Sequence, residues 1–213
     1  MSVQMQKKWA KPIVSALLGG IVGYLSIEAY VWFGGGAELA EVNPMRLVLS
    51  AVGMVYLLMA VFVGLGTLVP RAGAKLLNVA DSDDLIDQRA MLLGSSASSG
   101  ALGAALMLMA ASGTGGSVPD GLALASLAFA LVLGTVLTIL QWRYYDELMR
   151  QVSWESSAFG LGLLFPALVA WAALAHLGWT AALDPLGVIA LSASTLLIGT
   201  FFAAGRRGML TQG

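Results

Sequence analysis

Trp142-Arg143-Tyr144-Tyr145-Asp146-Glu147-Leu148-Met149-Arg150-Gln151-Val152-Ser153-Trp154-Glu155-Ser156-Ser157-Ala158 is a charged stretch set between two long apolar runs. Tyr145 closes an apolar run that begins near Gly121, and Asp146 is the first residue able to cap a new helix. Its carboxylate can accept the free N–H groups of the next turn, at the positive end of the helix dipole. From Glu147 to Gly178 the only breaker besides tolerated glycines is Pro166. The pattern predicts one long helix, polar over two turns and apolar thereafter, kinked where Pro166 removes a backbone donor. Asp146 and Arg150 are four residues apart, as are Gln151 and Glu155, so each pair shares a face.

A weaker twin lies upstream: Asp81-Ser82-Asp83-Asp84-Leu85-Ile86-Asp87-Gln88-Arg89-Ala90-Met91-Leu92-Leu93-Gly94-Ser95-Ser96-Ala97. Superposing the two Ser-Ser-Ala triplets places Arg89 opposite Arg150, with the acids offset by a residue or two. Two readings follow. The chain contains a parallel helix-hairpin repeat, or both segments are independent examples of a helix passing into a membrane from its basic side.

Composition favours a membrane in either case. Of 213 residues, 58% are apolar and 11% charged, against about 25% charged in soluble domains. Such a chain cannot cover a water-facing surface. Six runs can cross about 30 Å of hydrocarbon: Ile13–Phe33, Leu47–Val69, Met91–Ser112, Gly121–Gln141, Phe159–Gly178 and Gly187–Ala204. The third is the weakest, being mostly serine, glycine and alanine from Gly94 to Gly103. The fold class expected is all-α, one integral membrane bundle of six transmembrane helices over residues 1–213.

Orientation follows from the basic residues. Lys7, Lys8, Lys11, Arg71, Lys75, Arg89, Arg143, Arg150, Arg206 and Arg207 all fall on one side of a six-span chain, leaving Arg46 on the other. Both termini are therefore expected in the cytoplasm, in a bacterial inner membrane. The first apolar run exceeds a usual signal-peptide core and no small-x-small site follows it, so it is expected to stay as a span.

Several chemistries are disfavoured. The absence of cysteine removes disulfides and thiolate nucleophiles. His176 is the sole histidine, too isolated for a metal site or a nucleophilic triad. No glycine-rich phosphate loop follows a strand, so no cofactor is expected. With a net charge of −1, the partners expected are membrane lipids and other membrane subunits or further copies of the chain, and no nucleic acid.

The candidate residues fall into two groups. Ser15, Gly19 and Gly23 form a small-residue stripe in the first span, beside Gly20, Tyr24 and Glu28. Ser95, Ser99 and Gly103, with Ser96, Gly100 and Ala104 alongside, form another in the third. Small residues four apart let helix backbones approach closely in lipid. Trp171 sits deeper than the interfacial belt and is expected between helices or against a partner. The second group is charged. Glu28 lies about 7 Å below the outer edge of its span, within reach of Arg46 if the first two spans are antiparallel neighbours. At the basic end Asp84, Asp87, Arg89, Arg143, Asp146, Glu147, Arg150 and Glu155 form a ring able to bind a phosphate-bearing headgroup or a divalent ion. Glu155 is its sharpest member, since burial beside Trp154 and Ser156 would raise its pKa. The segment between Arg71 and Asp81 is long enough for a short interfacial helix or an ordered loop, and the last span stops at Gly205-Arg206-Arg207-Gly208, a glycine cap with a headgroup-binding pair.

Three functions remain open: a helix-packing accessory or assembly subunit (or homo-oligomer), a small transporter or channel with Glu28, the serines and Pro166 on its path, and a lipid-modifying enzyme worked by the cytoplasmic carboxylates.

Overall fold

The computed structural model describes residues 23–25, 27–28, 31, 43–69, 86–182 and 184–209. Among them the chain is helical, with no strand: α1 (Pro44–Leu68), α2 (Arg89–Ala110), α3 (Asp120–Gln141), a 3₁₀ turn (Trp142–Tyr144), α4 (Glu147–His176) and α5 (Pro185–Arg206). All five long helices are apolar and long enough to cross a membrane, α2 being the least apolar. Most of the first run, Ile13–Phe33, lies outside the described residues, as does the segment 71–81; residues 23–25, 27–28 and 31 are helical.

Capping chemistry sets the boundaries. Asn43 accepts from the Met45 N–H and Pro44 takes the first helical position of α1. Asp184 and Pro185 repeat the device on α5, with Asp184 accepting from the Leu186 N–H. A proline there loses no helical bond, because the first N–H groups have no partner inside the helix. Asp146 caps α4 through the Met149 N–H at 2.7 Å, as the opening stretch predicts. The 30 residues of α4 run through Pro166 without interruption and extend about 45 Å, more than the roughly 30 Å of hydrocarbon in a bilayer.

α4 and α5 both end in a Schellman turn, which needs a left-handed residue just past the helix. Gly178 (φ +74) and Gly208 (φ +73) supply it, with the Trp179 N–H donating to Leu174 O and the Met209 N–H to Ala204 O. The glycine that stops the last helix is thus Gly208. Gly205 lies inside the helix, because its backbone need only continue the right-handed turn.

The helices form an open row in which α3 packs on α2, α2 on α1, α1 on α5 and α5 on α4. Although consecutive, α3 and α4 scarcely touch. Hydrogen bonds register the ends. Arg46 donates to Thr114 O and Asn43 to Asp184 at one end; Gln141 donates to Met91 O and Arg207 to Glu155 at the other. The second end carries Arg89, Arg143, Arg150, Arg206 and Arg207, while Arg46 alone among described arginines lies at the first. We refer to these as the basic end and the far end.

The core is small and lies toward the far end: Leu49, Tyr56, Leu106, Ala110, Ala190 and Ala193. Elsewhere large apolar side chains face outward, with Phe165 71% and Leu124 65% exposed. That surface suits lipid tails and not water.

Candidate functional site

The predicted charged residues separate into two clusters at the basic end. Asp87 and Asp146 meet in a crevice of about 200 Å³ with Gln88, Met91, Tyr144 and Met149. The two hinge segments identified in the sequence therefore come together in space. One oxygen of Asp146 is held by the Met149 N–H. Arg89 and Arg150 are exposed and make no ion pair among the described residues. Arg143 stacks over the Tyr144 ring at 4.8 Å. Trp142 packs on Tyr145 and edge-on against Trp154, with centroids 5.8 and 6.2 Å apart. Burial in that aromatic cluster pushes the Tyr145 phenol up from its ordinary pKa.

Glu155 belongs to the second cluster, and the expectation of a raised pKa is overturned. It is about one-third exposed and bridged by Arg207. The guanidinium donates to both carboxylate oxygens and also to Gln151 Oε1 at 2.9 Å. The hydrogen bond from Arg207, then its charge and that of Arg206, hold the carboxyl below the usual range, outweighing desolvation. Burial would dominate only if the arginine were absent. Gln151 in turn reaches Glu147, so the face shared by Gln151 and Glu155 is used as one unit.

Deeper along α4 and α5 the contact no longer involves charges. Ser156 Oγ meets Thr200 Oγ1 at 3.0 Å, and Phe159 stacks on Phe202 at 3.9 Å. Gly160 and Gly199 bring the two backbones together: a methyl group on Gly160 would sit 3.1 Å from Thr195 O, and one on Gly199 would strike the backbone of Ser156 and Gly160.

An equivalent crossing joins α1 and α2. A methyl group on Gly103 would lie 2.7 Å from Gly53 O and 2.8 Å from Leu57 N. Ser96 donates to Ala60 O at 2.7 Å, and a Cβ on Gly100 would meet Ala60. Gly103 lies at the crossing, and Ser96 and Gly100 of the adjacent stripe share this face with it. Ser99 is turned toward α3. It lines a cleft of about 430 Å³ with Ser98, Tyr56, Gly134, Thr135 and Thr138. Three of those hydroxyls bond back to their own helices, Ser98 to Ser95 O, Thr135 to Leu131 O and Thr138 to Gly134 O.

Trp171 packs against Gly187 of α5, where a methyl group would sit 2.9 Å from its ring, and near Met45 of α1. Its indole N–H reaches Ala181 O, so this tryptophan, although deep in sequence, ties α4 to the far-end loop. In the first span a methyl group on Gly23 would meet nothing within 4 Å; Ser15 and Gly19 lie outside the described residues.

The expected Glu28–Arg46 contact is not made. Arg46 donates to Thr114 O at 3.0 Å, and its guanidinium packs on Gly113. That carbonyl belongs to the α2–α3 link, which the Gly113 N–H bond to Asp120 closes on itself. Glu28 is exposed, and Tyr24 lies one turn earlier on the same helical face.

Two features escaped the sequence reading. Arg207 was paired with Arg206 as a headgroup contact, yet it clamps Glu155. Asn43 and Asp184, the caps of α1 and α5, bond each other at 2.8 Å. That bond, followed by the Leu186 N–H, lowers the Asp184 pKa. The repeated Asx-Pro pattern was the available signal. No family model, no curated protein and no solved structure matches the chain.

Proposed function

We propose that the chain is a six-span membrane protein of the bacterial inner membrane, both termini cytoplasmic, whose role is lateral: it packs against other membrane subunits as an accessory or assembly component. One observation carries this reading. α3 and α4 are consecutive yet scarcely touch, and together they bury only Ala123, Ala130 and Gly160. Two helices at opposite edges of the row thus offer nearly their whole length outward. The candidate polar residues are dispersed instead of converging: the cleft holds Ser99 but neither Glu28 nor Pro166. A path for a solute would draw such groups together, and a packing component has no need to.

The test is extraction of native membranes into polymer-bounded discs followed by native mass spectrometry. The reading predicts a particle containing the 22.1 kDa chain with a second protein in fixed stoichiometry. Discs that hold one chain and lipid alone would overturn it.

A further inference from the structure

We propose that one phospholipid with a primary-amine headgroup binds along α2 and α3, its ammonium group at Asp87 and Asp146 and an acyl chain in the cleft beside Ser99. The inference goes beyond the lateral role proposed above and does not depend on it.

The crevice and the cleft lie in line. Met91 lines the crevice that holds the two carboxylates, and Ser98 and Leu102 line the cleft. These residues follow one another in α2 at intervals of seven and four, so they share one helical face. From Met91 to Leu102 the helix rises about 16 Å, close to half of the roughly 30 Å of hydrocarbon in a bilayer. A molecule with its polar end in the crevice and a chain in the cleft spans one leaflet from the basic end, which is the form of a phospholipid.

The walls of the cleft suit a hydrocarbon chain. Leu102, Leu131 and Ile139 are apolar, and the hydroxyls of Ser98, Thr135 and Thr138 already donate to carbonyls of their own helices. A chain needs no hydrogen-bond partner and gains dispersion contact along such a surface. Tyr56 is fixed in the wall by its bond to Ala193 O at 3.0 Å, and Gln141 ties α3 to Met91 O at the mouth. The groove is therefore shaped before a chain enters it, which lowers the cost of binding.

Charge selects the headgroup. Asp87 and Asp146 line the crevice of about 200 Å³, and so does Tyr144, whose ring carries the Arg143 guanidinium at 4.8 Å. Acids in the lining and a guanidinium beside it match a zwitterion of both signs. An ammonium group donates N–H bonds to the carboxylates, and a phosphate accepts from the arginine. A headgroup of phosphate and hydroxyls alone sets its negative charge against two carboxylates, a juxtaposition that disfavours it.

The test uses the full-length chain, stripped of lipid in mild detergent and offered equal amounts of phosphatidylethanolamine and phosphatidylglycerol with the same acyl chains. Native mass spectrometry counts the molecules bound. The expected result is one phosphatidylethanolamine per chain, preferred several-fold over phosphatidylglycerol. Asp87→Asn combined with Asp146→Asn removes both charges while asparagine still caps α4, and is expected to abolish the preference. A Cβ on Gly134 meets nothing within 4 Å and Gly134 lines the cleft. Gly134→Leu is therefore expected to lower the binding of both lipids several-fold without lowering the melting temperature. No bound lipid, equal binding of the two, or a preference for phosphatidylglycerol would overturn the proposal on the unaltered chain, whether or not a variant folds. A preference that survives the double asparagine variant would overturn it too, as would binding indifferent to Gly134→Leu, which marks a headgroup contact without a seated chain.

Discussion

In the α1–α2 pair, Gly53 meets Gly103 backbone to backbone beside the buried Leu49 and Leu106. In the α4–α5 pair, Gly160 meets Gly199 in the same way, but the fastening beside them is the half-exposed bridge from Arg207 to Glu155 and Gln151. Close approach without Cβ atoms gives both pairs dispersion contact that lipid cannot match. What differs is the polar supplement. In α1–α2 it is a hydroxyl, Ser96 on Ala60 O, between two apolar helices. In α4–α5 it is a charge pair at the edge, where salt and pH reach it. The first pair should be indifferent to solution conditions and the second responsive.

The contrast breaks most sharply at the glycines. Gly103→Leu forces a side chain into the Gly53 carbonyl and should cost about 1–3 kcal/mol, the usual range for overpacking, or abolish folding. Gly199→Leu should cost a comparable amount locally but release only α4 from α5. Thermal unfolding in mild detergent, with Gly23→Leu as the neutral control, measures all three.

Next in size is the joint between the pairs. Asp184→Ala removes the α5 cap and the bond to Asn43 and should destabilise by about 1 kcal/mol, the typical cost of a lost cap. Asn43→Ala should cost a similar amount, and the double variant less than the sum because the two caps share a bond. Tyr56→Phe deletes the buried bond from α1 to Ala193 O at 3.0 Å. It should cost about 0.6 kcal/mol, the average for such bonds in membranes.

The smallest effect sharpens the comparison most. The Glu155 pKa is lowered in the folded protein by its bond to Arg207. Its contribution is therefore complete above the unfolded carboxylate value of about 4.3, and it fades as pH falls through the lower folded value. Melting temperatures of the native chain and Glu155→Gln should differ slightly at pH 7 and low salt, and converge only as pH falls below the depressed folded value, or in high salt. A difference that persists in acid would show that the bridge is not what Glu155 contributes.

Much of this was legible in the residues, for identifiable reasons. Runs of twenty apolar residues and the Asp146 cap are local, and local chemistry decides them whatever packs nearby. Gly103 was legible as a packing residue because small residues have one advantage inside a membrane. Partner choice was not legible. Arg46 and Glu28 have the right signs, but whether they meet depends on how the Gly113–Asp120 link folds, and that link offers Arg46 the Thr114 carbonyl. Glu155 was misjudged because its neighbour in space is 52 residues away; the sequence shows Trp154 and Ser156 beside it, which suggested burial. The Ser-Ser-Ala twins also occupy unlike surroundings. Ser96 bonds Ala60 O of the preceding helix whereas its counterpart Ser157 is exposed, so the likeness in sequence does not extend to their packing.

The proposed topology depends on which end faces the cytoplasm, and a chain with no cysteine allows that to be measured without background. Single cysteines at Gly115 and Ala182 (far end) and at Ser153 and Met209 (basic end) can be exposed to a membrane-impermeant maleimide in intact cells. The account predicts that the first two react at once and the last two only after permeabilisation. Immediate reaction at Ser153 or Met209, or protection at Gly115, would contradict it.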